Sequence, residues 1–188
     1  MKPLLAAVLA LCLPLRLNAL SIGMFSDEGC DSCSLSVPVG QAGTFFVRFT
    51  GGGGRFQLIG ADFKIVGLPA SWTASVEPNP ERRSVFGDVF NGGAMITFPT
   101  PHTEECFDLY RVTIHATSAL EHVVLHVETS DNPFWGANCP LVLYPAPPDP
   151  PYSCAEGGFI FINSAGHCAV SVERRSWSDV KVLYELDG

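Results

Sequence analysis

The first residues whose types and spacing suggest chemistry are two cysteines three positions apart. The segment Cys30-Asp31-Ser32-Cys33 is a Cys-x-x-Cys motif, which elsewhere forms redox-active pairs or supplies two ligands to zinc. It precedes a predicted strand, without a helix N-terminus to lower a thiol pKa, and no second Cys-x-x-Cys motif completes a zinc site. We therefore interpret it as a structural disulfide.

The other cysteines extend this interpretation to a disulfide framework. Six cysteines follow residue 19, and an even number in an exported chain is typical of such a framework; they are Cys30, Cys33, Cys106, Cys139, Cys154 and Cys168. Sequence alone does not choose among the possible connectivities. Pairing between neighbours is our expectation, which gives Cys30–Cys33, Cys106–Cys139 and Cys154–Cys168.

Two histidines would face each other if residues 110–127 form a β-hairpin. Apolar residues alternate on both sides of a connection at 117–120, which places His115 opposite His122 and close enough to share a metal ion. His126 lies four residues farther along and could not join that site. We favour solvated histidines on an exposed sheet face over a metal pair.

Acidic residues surround the first cysteine of the motif. Asp27, Glu28 and Asp31 are oxygen ligands of the kind that Ca²⁺ prefers, but their spacing matches no EF-hand loop. A solvated loop is the preferred interpretation, and calcium binding there is left open.

No pattern typical of catalysis occurs. The sequence has no Gly-x-Ser-x-Gly elbow, and Ser164 and His167 lie only three positions apart in a predicted turn. Glu104 and Glu105 are adjacent, so on a strand they would point to opposite faces. We predict no catalytic residue, no cofactor and no metal ligand.

The N-terminus indicates export. Lys2 precedes an apolar run at residues 4–15, and Ala19 precedes the expected cleavage site; this is the pattern of a secretory signal peptide, and the run is shorter than the roughly 20 residues of a membrane span. Loss of Lys2 and Arg16 changes the net charge from −8 to −10. Such an acidic chain lacks the basic footprint of a nucleic-acid binder. A secreted protein, extracellular or periplasmic, is therefore expected, with no membrane span.

The elements that must position these residues are strands. Apolar and polar residues alternate with period two in several runs separated by turn signals, among them Phe45–Phe49, Ile59–Ile65, Trp72–Val76 and Ala94–Phe98. Asn91-Gly92-Gly93 indicates a tight hairpin. The pattern predicts an all-β fold, an antiparallel sandwich of the immunoglobulin or cohesin type.

The predicted organisation has four parts. Residues 1–19 are the signal peptide, 20–144 the sandwich, and 145–153 a proline-rich strap. Residues 154–188 are a small hairpin, with strands at Phe159–Ile162 and Ala169–Glu173, and a short helix at 176–184, docked on the sandwich. Trp177, Val180 and Tyr184 recur at helical spacing and would make the contact, with Phe159 and Phe161 as the receiving surface.

Two stretches carry a resemblance to known proteins. Gly60–Pro69, with Trp72 and Pro78-Asn79-Pro80 behind it, is one, and Ala169–Glu173 followed by Trp177–Tyr184 is the other. They resemble uncharacterised exported bacterial β-sandwich proteins with a signal peptide and a C-terminal Trp/Lys/Leu-Tyr tail, a group without an assigned activity. The strand at 61–68 is also similar to those of cohesin-type sandwiches, and that resemblance implies dockerin binding.

These observations lead to three functional hypotheses. The first is a non-catalytic structural or adhesive module, because a cross-linked scaffold carries no convergent polar site. The second is a sandwich that binds a protein or a glycan, with Phe134 and Trp135 as candidate contact residues. The third is an enzyme whose site is assembled from distant loops. Buried indoles at Trp72, Trp135 and Trp177 would weaken the second hypothesis.

Overall fold

A computed structural model describes residues 20–51, 56–145 and 151–164, and within them the fold is all-β. The predicted sandwich is confirmed: two β-sheets pack face to face around one hydrophobic core. The described residues contain no α-helix and no helix long and apolar enough to cross a membrane. Their one helical turn is a short 3-10 turn at Phe134–Gly136.

Thirteen strands are formed by the described residues. In chain order they are β1 Ser21–Phe25, β2 Ser34–Leu35, β3 Ala42–Thr50, β4 Leu58–Val66, β5 Thr73–Pro78, β6 Ser84–Asp88, β7 Gly93–His102, β8 Cys106–His115, β9 Val123–Glu128, β10 Leu141–Leu143, β11 Tyr152–Cys154, β12 Glu156–Gly157 and β13 Phe159–Ile162.

The strands divide into two sheets. The first sheet has the order β12-β1-β3-β8-β5. In the second sheet β4 is central: β7 pairs along one of its edges and β6 pairs with β7, while β10 and β9 share the other edge. β11 extends the sheet from β10, and β13 and β2 extend it from β9. Pairing is antiparallel except between β1 and β12 and between β2 and β13.

The core follows the period-two patterns of the sequence. Phe45, Val47 and Phe49 of β3 belong to the same buried cluster as Ala94, Ile96 and Phe98 of β7. β4 departs from the prediction at one position, because its register shifts between Leu58 and Gly60. Leu58 is therefore fully buried, whereas Ile59 is only half-buried.

The hairpin predicted at 110–127 is wrong, although both of its strands exist. β8 pairs with β3 and β5 in the first sheet, and β9 pairs with β4 and β13 in the second. The connection does not turn back, because Ala116 exchanges backbone hydrogen bonds with Gln41 and Gly40 beside β3. Residues 117–122 then cross from one sheet to the other.

The disulfide pairing expected between neighbours is also wrong. Cys30 bonds to Cys106, and Cys139 bonds to Cys154. Cys30 has a left-handed backbone with φ 59°, and its partner Cys106 is the first residue of β8. Cys33 is disulfide-bonded as well, to a partner outside the described residues.

The C-terminal part of the described chain is integrated into the sandwich. The strand predicted at Phe159–Ile162 is present as β13 and lies between β9 and β2. It is therefore a strand of the second sheet rather than of a separate docked piece. The signal peptide at 1–19, the strand at Ala169–Glu173 and the helix at 176–184 lie outside the described residues, as do residues 146–150 of the strap.

Candidate functional site

The outer face of the second sheet is the candidate site. On β4 the buried residues Phe63 and Ile65 point inward, so Asp62, Lys64 and Val66 point outward by the alternation of a strand. The pairing register sets their neighbours on β7, β9 and β13, and β6 forms the rim beyond β7. We call this surface the exposed face.

An apolar row crosses one end of the exposed face. Phe86 on β6 lies opposite Met95 on β7, and Met95 lies opposite Asp62 on β4. Phe86 is 60% exposed, the highest value among the large hydrophobic residues whose burial is described. Its neighbour Val85 packs against the core, so the sandwich itself holds Phe86 outward.

A group of charged residues occupies the middle of the exposed face. Lys64 Nζ lies 2.8 Å from Asp131 Oδ1 and 3.4 Å from Glu128 Oε2. His126 Nε2 lies 2.6 Å from Glu128 Oε1, within hydrogen-bond distance. The hydrogen bond to Asp131 raises the pKa of Lys64, and the bond from His126 lowers the pKa of Glu128. The lysine is thus held by two carboxylates, which orders the centre of the face.

The far side of the exposed face is aromatic again. Phe159 on β13 lies opposite His126 on β9, and their ring centroids are 5.5 Å apart. Val66 of β4 is the other cross-strand neighbour of His126. A row of apolar and aromatic side chains therefore crosses the sheet here as well, on the other side of the charged group.

A loop lies against the exposed face beside Asp62. The backbone N–H of Phe134 donates to Asp62 Oδ2 at 2.8 Å, and Asp62 is buried beneath this segment. Gly93 has a φ of 106°, and a Cβ there would collide with Ser130 and would lie tightly against the carbonyl oxygen of Phe63. Only glycine lets the loop approach so closely. The side chain of Phe134 remains 50% exposed above the sheet.

By contrast, the outer face of the first sheet is partly covered by a loop. Arg48 on β3 points outward, as its alternation predicts, yet its side chain is only 5% exposed. It pairs with Asp108 on β8, donates to the carbonyl oxygen of Asp27 at 2.6 Å, and stacks on Phe46. The loop that carries Cys30 is thus fastened over this end of the sheet.

The alternatives of a histidine metal pair and a calcium loop are not assembled as metal sites by the described residues. His115 ends β8 in the first sheet, while His122 precedes β9 in the second, so they are not cross-strand neighbours. Asp27 Oδ1 accepts the backbone N–H groups of Asp31 and Ser32, an arrangement that closes its own loop. Within residues 20–51, 56–145 and 151–164, no group of three or more His, Cys, Asp or Glu is placed to hold a metal ion.

The aromatic candidates separate into buried and exposed residues. Trp72 is buried, and its Nε1 donates to the carbonyl oxygen of Ser118 at 3.2 Å. It has a structural role and contributes nothing to a binding surface. Phe134 is exposed, as a contact residue should be. Phe86 is not among the contact residues predicted from the sequence, because a single aromatic residue on a short strand carries no local signal that the strand lies at an edge.

The sequence matches no protein-family model and no curated protein. Among solved structures, the sixth cohesin of scaffoldin B from Acetivibrio cellulolyticus, in complex with a Cel5 dockerin mutant, is similar over 78% of this chain and 99% of its own. The identity is 10% and the TM-score 0.51. A cohesin module from a family 33 glycoside hydrolase of Clostridium perfringens matches 79% of this chain and 98% of its own, with 14% identity and a TM-score of 0.42. The chain is therefore similar in fold to a cohesin module.

Proposed function

We propose that this protein is an exported, non-catalytic module that binds a protein partner through the exposed face. The observation that carries the proposal is Phe86, which the sandwich holds outward on an edge strand at 60% exposure. Large aromatic side chains concentrate binding energy at interfaces when they enter a pocket of the partner. The disulfides fit an oxidising compartment outside the cytosol.

The layout of the exposed face supports protein binding. Apolar and aromatic residues lie on both sides of a charged group in which Lys64 is already paired with Glu128 and Asp131. A partner that covers the face would therefore not leave the lysine charge without a counterion, and leaving such a charge unpaired is the costly outcome of burial. The charged group adds specificity while the aromatic residues supply contact area.

The shared fold supports the same class of function. The cohesin of Acetivibrio cellulolyticus is a sandwich of this type and is seen in complex with a dockerin, a protein partner. A partner for the present chain would be recognised by an apolar patch that accepts Phe86 and Phe134, flanked by polar groups. An adhesive role on a cell surface is consistent with such recognition.

A binding assay on the material that the host cell exports tests the proposal. The assay also distinguishes protein binding from glycan binding. The purified protein should bind the immobilised fraction, and protease treatment should abolish the binding while periodate oxidation of sugars leaves it intact. Phe86→Asp should remove it. Ser75→Asp, at an exposed position of β5 in the first sheet, is the matched control and should retain it. Binding that survives protease and disappears after periodate would make the ligand a glycan.

A further inference from the structure

One edge of β6 is free and borders the exposed face. Among the described strands, β6 pairs with β7 alone. Successive residues of a strand direct their N–H and C=O groups to opposite edges, so about half of these groups in β6 lie along the edge that has no described strand beside it. Such an edge is a template on which another extended chain can form a strand. Phe86 stands on the same strand, so a chain added here would also contact the exposed face.

The turn that leads into β6 is fastened to both sheets. Asn79 joins it to β8 of the first sheet: its Nδ2 donates to the carbonyl oxygen of Asp108 at 2.7 Å, and its backbone N–H donates to that of Leu109 at 2.9 Å. At the other end of the turn, the backbone N–H of Arg83 donates to the carbonyl oxygen of Thr97 on β7 at 2.7 Å. The free edge is therefore positioned before a partner arrives, which limits the ordering cost of binding.

Two exposed arginines, Arg82 and Arg83, immediately precede the free edge. Neither forms an ion pair with a described carboxylate, whereas Arg48 and Lys64 both do. The protein as a whole is acidic, with a net charge of −8. An acidic segment is therefore attracted to this place and repelled by the rest of the surface, and such complementarity fixes where a partner binds.

The carboxylates closest to these arginines in the chain lie toward other groups. Glu81 Oε2 is 3.8 Å from His102 Nε2 at the end of β7. Asp88 Oδ1 accepts the backbone N–H of Phe90 at 2.9 Å and closes the turn that follows β6. The positive charge at the start of the free edge is thus open to a partner.

We propose that the protein partner of the exposed face adds an extended, acidic segment as a strand along the free edge of β6. This inference rests on the proposed function and specifies the kind of segment that the partner presents. Hydrogen bonds between the two backbones supply affinity. An acidic residue beside Arg82 or Arg83 and an apolar residue beside Phe86 supply specificity, as side chains do when a peptide adds a strand to a sheet.

Selection from a random library of displayed peptides tests the proposal without the natural partner. Peptides selected on the full-length exported protein should be enriched in acidic and apolar residues and depleted in proline, which cannot donate to a neighbouring strand. Selection on Arg83→Glu should favour basic residues instead. Arg111→Glu, at an exposed position of β8 in the first sheet, is the matched control and should still select acidic peptides.

Residue-resolved hydrogen exchange locates the bound peptide. With the preferred peptide bound, the fast-exchanging amides of β6 should slow at least about 10-fold. Amides of β5, which is the edge strand of the first sheet, are the internal control and should not change. Arg83→Glu should weaken binding of the same peptide at least about 5-fold. Unaltered exchange of β3 and β8 shows that the variant is folded.

Three results would overturn the proposal. The first is a selection that enriches no peptide, or peptides without acidic residues. The second is an acidic peptide that binds without slowing exchange in β6. The third is a dimer of the protein that protects β6 in the absence of peptide, which would make a second copy of the chain the occupant. The proposed function is tested separately: if exported material binds, and Phe86→Asp removes that binding while Arg83→Glu does not, then only strand addition is rejected.

Discussion

Phe134 donates its backbone N–H to the carboxylate of Asp62 at 2.8 Å, although the two residues are 72 positions apart in the chain. The bond joins the loop after β9 to the middle of β4. It explains why an acidic residue is buried on the outer side of the sheet, since a buried carboxylate needs a donor. It also sets where the Phe134 side chain stands above the exposed face.

Replacement of Asp62 should therefore release this loop. Asp62→Ala removes the acceptor, and we expect a loss of about 1–3 kcal/mol in the free energy of unfolding, with faster hydrogen exchange at 130–136. Asp62→Asn keeps an oxygen acceptor and should lose less. Urea unfolding measures both variants. Equal losses in the two would show that the hydrogen bond to Phe134 does not stabilise the loop.

Arg48 should contribute strongly to stability because it is buried and serves three partners. Arg48→Met removes the ion pair to Asp108 and the bond to the carbonyl of Asp27 but retains most of the packing on Phe46. We expect a loss of about 2 kcal/mol, since hydrogen bonds to charged groups contribute about 1.5–3 kcal/mol. Arg111→Met, at an exposed position of β8, is the control and should change stability by less than about 0.5 kcal/mol. Comparable losses at the two arginines would contradict this account.

Tyr110 should reduce stability at alkaline pH. Burial raises the pKa of Tyr110 well above its ordinary value of 10.0, and its hydroxyl has no hydrogen-bond partner in the described structure. Because the unfolded chain loses this proton first, the contribution of Tyr110 is complete below pH 10 and declines as the pH rises above it. Tyr110→Phe should be at least as stable at pH 7 and should lose less stability between pH 9 and pH 11. Parallel stability curves for the two proteins would refute the prediction.

The two described disulfides should differ in their effect on stability. Cys30–Cys106 closes a chain segment with a sequence separation of 76, and Cys139–Cys154 one of 15. On the chain-entropy account, the longer loop gains about 4.5 kcal/mol and the shorter about 3 kcal/mol. The Cys30→Ser, Cys106→Ser double variant should therefore have the lower midpoint of chemical unfolding. A lower midpoint for Cys139→Ser, Cys154→Ser would reverse the expected order.

The sequence predicted which face of each strand is buried, but it did not predict which strands lie side by side or which cysteines are bonded. The period-two patterns placed Phe45, Val47, Phe63 and Ile96 in the core, because alternation reports which side of a strand is buried. It does not report which strand lies alongside, so β8 and β9 were joined in a hairpin although the crossing at 116–122 puts them in different sheets. The sequence also does not report which cysteines lie close in space, so the predicted pairing between neighbouring cysteines is wrong.

The candidate site was predictable only in part. Phe134 was singled out because it stands in a loop close to a cysteine, and it is exposed. Phe86 was not, because a single aromatic residue on a short strand looks the same whether its strand is central or at an edge. The burial of Arg48 and of Asp62 depends on loops that fold over the sheets from distant parts of the chain. Such covering contacts leave no local pattern in the sequence.

Site-specific photo-cross-linking in the native host tests the central claim most directly. A photoreactive phenylalanine analogue at Phe86 or Phe159 should form a covalent adduct with one discrete protein, the same at both positions. The analogue at Ser75, on the outer face of the first sheet, should form none. Adducts of equal yield from both faces, or no protein adduct from Phe86 and Phe159, would contradict the assignment of the exposed face as a protein-binding surface.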